Sequence, residues 1–169
     1  MKIKGFKALC PYLHGTIMSE TMEAMVRMLA RLPEQQQREM IKTRLAAFAD
    51  MRDEERLGAM KAMITALQKI DVEDQKKLTY ARLEALAESF DDVTRKKLIG
   101  THMMALMGMP KEQMAADLNI MASVMSLCHE ACRMKDMNTM RELMMGLQPD
   151  KRMMMMQVLP PEVQKMMMG

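Results

Sequence analysis

Apolar residues recur along this chain at helical rather than strand spacing. Met18, Met22, Met25, Leu29 and Leu32 step by 4, 3, 4 and 3, and Met114, Leu118, Met121, Met125, Cys128 and Cys132 step by 4, 3, 4, 3 and 4. Leu57, Met60, Ile64 and Leu67 carry the same rhythm between them. A repeat near 3.6 residues places these side chains on one stripe of a helix, with charged residues on the opposite face. Strand-type alternation is confined to Ile3 to Ala8. The pattern predicts an all-α chain of seven to nine short helices with no significant sheet.

The stripes are punctuated by a recurring joint: an apolar residue, then Pro or Asp near the first helical position, then Glu or Gln within a turn. It reads Leu32-Pro33-Glu34, Met51-Arg52-Asp53-Glu54, Ile70-Asp71-Val72-Glu73, Phe90-Asp91-Asp92 and Met109-Pro110-Lys111-Glu112, and the apolar members step by 19, 19, 20 and 19. Each joint has the chemistry of a helix start. Pro gives up an amide that would be unpaired anyway, Asp caps free amides, and acids favour the positive end of the helix dipole. Two such helices make a unit of about 38 residues, which predicts a stacked helical-hairpin array or an irregular bundle. The longest helix is expected over 111–134. After Asp136 the units shorten to 137–147, 149–159 and 161–168, so the expected organisation is an N-terminal arm (1–15), a helical repeat domain (16–134) and a methionine-rich helical extension (135–169). Leu-Gln-Pro-Asp-Lys at 147–151 and Leu-Pro-Pro-Glu-Val at 159–163 resemble the joints in the cytoplasmic helical domain of bacterial magnesium channels and in the middle domain of a flagellar-motor switch protein. That resemblance, confined to this C-terminal stretch, implies stacked short helices.

Composition narrows the function. The length of 169 residues suits one domain or a tight pair. Charged residues make up 28%, and no apolar run reaches the length, about 18 residues, that a membrane helix needs. The net charge of +3 belongs to Lys2, Lys4 and Lys7, and the rest of the chain is neutral. With five aromatics and no basic face, nucleic acid is not an expected partner. Lys7, Pro11 and His14 interrupt any signal-peptide core, and three cysteines are an odd count for a disulfide scaffold, so the cytoplasm is the expected location. Phosphate loops, nucleophile elbows and zinc-helix motifs are missing, and the acid pairs fall at helix starts. Glu54, Glu55, Lys61, Lys77, Glu84 and Glu88 read as solvated faces, and His102 receives no role.

Methionine changes the picture most. Nine of the 28 lie in residues 1–63, none in 64–102 and nineteen in 103–169. The middle of the chain builds its stripe from Leu, Ile, Val, Ala and Phe, so methionine is not a general substitute for leucine here. Met153, Met154, Met155 and Met156 are consecutive and at about 100° per residue point all around a helix. Met166, Met167 and Met168 repeat the run. Unbranched thioethers form a soft apolar surface that repacks around different helices. In surface chemistry this is similar to the grooves of calmodulin and of the methionine-rich domain of the signal-recognition particle protein. The expected function is therefore a non-enzymatic interaction or assembly protein, binding an apolar or helical protein partner, or itself, through Met144, Met145, Met153, Met154, Met155, Met156, Met166 and Met167.

A second reading rests on thiols. Cys128-His129-Glu130-Ala131-Cys132 places two cysteines at i and i+4 of the expected long helix, and Cys10 and His14 offer a second pair. Cys10, His14, Cys128, His129 and Cys132 form a candidate site for a soft metal ion, Cu(I) or Zn, or an Fe–S cluster. Met121 and Met125 on the same stripe bias it toward Cu(I). The Cys-x-x-x-Cys spacing is similar to that of copper-storage four-helix proteins. A third reading, an accessory subunit of an enzyme complex, combines both.

Overall fold

The computed structural model describes residues 11–168, with side-chain surroundings from residue 20 onward. Among the described residues all regular secondary structure is helical: α1 (Pro11–Arg31), α2 (Glu34–Asp50), α3 (Asp53–Leu67), α4 (Val72–Ser89), α5 (Asp92–Met107), α6 (Lys111–Met125), α7 (Glu130–Gly146), α8 (Pro149–Val158) and α9 (Pro161–Met168). Every one of the five joints starts a helix where its capping chemistry predicts. Asp91 caps with its side chain, accepting a 2.7 Å bond from the Thr94 amide, whereas at Pro33, Arg52 and Asp71 the cap residue supplies only its carbonyl.

The series of joints does not stop at Met109. Cys128 and Leu147 follow it at the same interval and stand at the next two joints. The helix expected over 111–134 is consequently two helices: α6 ends at Met125, and α7 begins at Glu130. Cys128 lies in the connection and Cys132 in the first turn of α7, so the two thiols do not share one helical face. The stripe conceals the break because both cysteines are buried and fit its spacing. The 134/135 boundary accordingly falls inside α7, a full-length helix, and shortening begins only with α8; the 15/16 boundary likewise falls inside α1.

Each helix packs chiefly on the next but one along the chain. The odd helices make one layer and the even helices a second, and α4 locks the layers together by packing on α1 and α7 as well as on α2 and α6. This arrangement explains why α4 is buried without interruption from Ala81 to Ala87, unlike an amphipathic surface helix. Ile64, Leu98, Leu106, Leu118 and Val124 fill the space between the layers. Each such side chain contributes about 1.5–3 kcal/mol by leaving water.

Candidate functional site

The eight methionines expected to meet a partner divide into two groups. Met144 and Met155 are buried in the core, with Met156 and Met167 packed partly against it. Met145 (67% exposed), Met153 (58%), Met154 and Met166 face outward. The all-round run at 153–156 thus resolves into an inner and an outer face, and the outward four are joined by Met168. Arg141 fixes α9 against α7 by donating to the carbonyls of Met166 (2.7 Å) and Met167 (3.3 Å) at the end of the helix.

Of the expected metal ligands, Cys10 and the side chain of His14 lie outside the described residues. His129 caps α7 and is exposed. Cys128 is buried 3.7 Å from the Val124 carbonyl, and its thiol is pushed up to about 11 by burial and then by Asp136 and Glu84. Burial, then a 3.5 Å bond to Glu88 Oε1, raises the Cys132 thiol too. Both therefore stay protonated near neutral pH, the form that is a poor nucleophile. Among the described residues no three His, Cys, Asp or Glu side chains converge as a metal cage.

Glu84 corrects the solvated-face reading of the α4 acids, because it is buried beneath α2. Its Oε2 lies 2.9 Å from Arg38 Nη2, out of hydrogen-bond alignment, so the contact is an ion pair. The neighbouring Glu84 carboxylate, together with burial, lifts the Tyr80 phenol to about 12.

Between the layers lies a polar group that no sequence feature announced, contributed by four helices. Arg82 of α4 approaches His102 Nδ1 of α5 at 3.2 Å, and His102 Nε2 lies 2.9 Å from Asp117 of α6. One proton arrangement satisfies both contacts: a neutral imidazole that accepts from Arg82 and donates from Nε2 to an ionised Asp117. Burial and the neighbouring Arg82 hold the His102 pKa down. Burial opposes ionisation of Asp117, but His102 and Arg82 outweigh it and keep that carboxyl below its usual range. Asp136 of α7 is 2% exposed and its Oδ1 has no hydrogen-bond partner; burial raises it to about 7 against the pull of Arg95, Arg82 and Lys135. Arg82, His102 and Asp136 edge a cavity of about 50 Å³ whose remaining wall is apolar, with seven methionines, Met144, Met155 and Met167 among them.

The joints themselves hold a repeated device. Arg56, the fourth residue of α3, donates from Nη1 to the Met51 carbonyl (2.8 Å), from Nη2 to Asp53 and from Nε to Thr101 Oγ1 on α5 (2.9 Å). Arg95, the fourth residue of α5, does the same with the Phe90 carbonyl (3.3 Å), with Asp92 and with Thr139 on α7 (3.2 Å). Each threonine also donates to a lysine carbonyl one turn back, Thr101 to Lys97 and Thr139 to Lys135. Those lysines reach in turn to the end of an even helix, Lys97 to the Ala49 carbonyl and Lys135 to that of Ala87, both at 3.1 Å. The signal was present in the sequence as an arginine and a Lys-x-x-x-Thr pair that each recur one two-helix unit later.

No family model, curated protein or solved structure matches this chain.

Proposed function

We propose that this protein is a non-enzymatic helical scaffold whose methionine-rich C-terminal third binds an apolar, helical segment of a partner protein. One observation carries the reading: eight of the eleven large apolar side chains exposed among the described residues lie between Met104 and Met168. Helices α8 and α9, which pack on α6 and α7, carry Met153, Met154, Met166 and Met168 outward. Flexible thioethers conform to a helix without demanding one shape. The division among the eight supports the same reading: the core encloses Met144 and Met155 and partly covers Met156 and Met167, while Met145, Met153, Met154 and Met166 face outward.

The test is site-specific photo-cross-linking in the native cell, with the reactive group at position 153 and, as a control, at the exposed Val72 in the first turn of α4. The expected result is one discrete helical segment captured from 153 and absent from 72. Changing Met145, Met153, Met154 and Met166 together to Gln should abolish that product while helix content stays unchanged. Capture of the same products from both positions, or their survival in the four-Gln variant, would overturn the proposal.

A further inference from the structure

We infer that the central cavity is a binding site for a short-chain aliphatic alcohol, its hydroxyl held between Arg82 and Asp136 and its carbon tail against methionine. Every helix from α2 to α9 contributes to the wall, so the site exists only in the finished stack. None of the outward-facing methionines lines it, and the inference stands apart from the partner-binding surface.

Two residues at the edge of the cavity carry unpaired polar atoms. Arg82 Nε is a donor and Asp136 Oδ1 an acceptor, and neither has a hydrogen-bond partner among the described residues. The two residues are 8% and 2% exposed, so bulk water does not serve them. Both are aimed inward. Asp136 shares its face of α7 with Met140 and Met144, at i+4 and i+8, and Arg82 shares its face of α4 with Leu86 at i+4, and all of these line the cavity. Arg82 stands close enough to pull on the Asp136 carboxyl, yet Nε and Oδ1 do not bond to each other. His102 offers nothing further, because Arg82 and Asp117 occupy its two ring nitrogens. A single group that accepts from one atom and donates to the other is a hydroxyl.

Size and wall chemistry decide what that hydroxyl is attached to. At about 10–15 Å³ for each water-sized position, a cavity of about 50 Å³ holds roughly three to five such groups. One of them meets Arg82 and Asp136. Further waters would face thioethers and aliphatic side chains, without the two to four polar partners that a buried water needs. The rest of the volume therefore suits carbon, about two to four atoms of it. The lining is also built to yield to a guest. Six of the nine methionines buried among the described residues, Met60, Met103, Met121, Met140, Met144 and Met155, gather around this cavity, and unbranched thioethers adapt to an irregular shape. A second cavity of about 50 Å³ among α1 to α4 makes the contrast. Arg82 borders it too, but no acid does, and its methionines, Met25 and Met63, are only partly buried. Donor and acceptor come together at the first cavity.

The probe is 1-propanol, titrated at pH 8 against the full chain carrying ¹³C-labelled methionine methyl groups and followed by NMR. Four heavy atoms set the expected dissociation constant at about millimolar. Saturable shifts should gather at Met103, Met140, Met144 and Met155 and spare Met25 and Met63. Ethyl methyl ether has the same number of heavy atoms and accepts from Arg82, but it brings no donor for Asp136, so it should bind about tenfold more weakly. In Asp136→Leu that preference for the alcohol should vanish. No saturable shift at the cavity methionines, the result if water alone occupies the cavity, overturns the inference. So do shifts confined to Met25 and Met63, equal affinity for alcohol and ether in the native protein, or a preference that survives in Asp136→Leu. If Asp136→Leu does not fold, the comparison of alcohol with ether on the native protein still decides.

Discussion

Three arginines at equivalent helical positions have different fates, and the difference is measurable at the level of single side chains. Arg56 and Arg95 are buried and each ties three partners on two helices. Replacing either with Met takes a donor from a backbone carbonyl and from a threonine hydroxyl and should cost about 2–3 kcal/mol. In a domain of this size that lowers the melting temperature by roughly 5–10 °C, whereas Arg133→Met should leave it unchanged; calorimetry on the three variants checks the contrast. Asp136 makes a prediction of the opposite sign. Its folded pKa is raised to about 7, above the unfolded carboxyl range, so the native state holds a proton that the unfolded state has released. Stability from this residue is therefore lost as pH rises from about 4 to about 7. Asp136→Asn removes that penalty and should be the more stable protein at pH 8, by up to about 4 kcal/mol, with the advantage shrinking toward pH 4.5. Urea unfolding at the two pH values reads it, and because both proteins share His102, the opposing loss of stability from that buried imidazole at low pH cancels.

At the scale of the element, the joints show how a side chain on one helix fastens the end of the previous one. Gln37 bonds the Leu29 carbonyl, Gln75 that of Ile70 and Gln164 that of Leu159, all from the fourth helical residue and matching Arg56 and Arg95 on the odd helices. A residue there sits one turn inside the helix, close to the carbonyls that the preceding helix leaves unpaired. Helix α8 gives the sharpest contrast within an element. Met155 is 2% exposed and touches the central cavity, while Met153, two positions away, points to solvent. Met155→Gln buries an amide without a partner and should destabilise by about 2–4 kcal/mol. Met153→Gln should change stability by less than about 0.5 kcal/mol, and chemical denaturation of the two variants compares them directly.

For the molecule as a whole, the two-layer stack makes stability a matter of neighbours a full two-helix unit apart in sequence, since the next-but-one helix supplies most of each buried face. That spacing is also why an interior polar group is invisible stripe by stripe. Arg82, His102, Asp117 and Asp136 come from four successive helices and share no local pattern. Glu84 is hidden for the same reason. On its own helix it resembles any charged surface residue, and only the packing of α2 and its Arg38 encloses it.

The sequence by itself determined where α2 to α6 begin, because capping and proline geometry are properties of three or four adjacent residues, but it hid the start of α7 inside a continuous stripe. It determined as well that the chain is all-α and built on evenly spaced joints. Tertiary structure alone decided which of the clustered methionines are core and which are surface, and that Cys128 ends one unit while Cys132 opens the next. It also decided that Arg56 and Arg95 are spent on threonines where Arg133 is not. Those outcomes depend on what the helix two places along the chain presents, and burial against a distant neighbour leaves no trace in the spacing of the residues it covers.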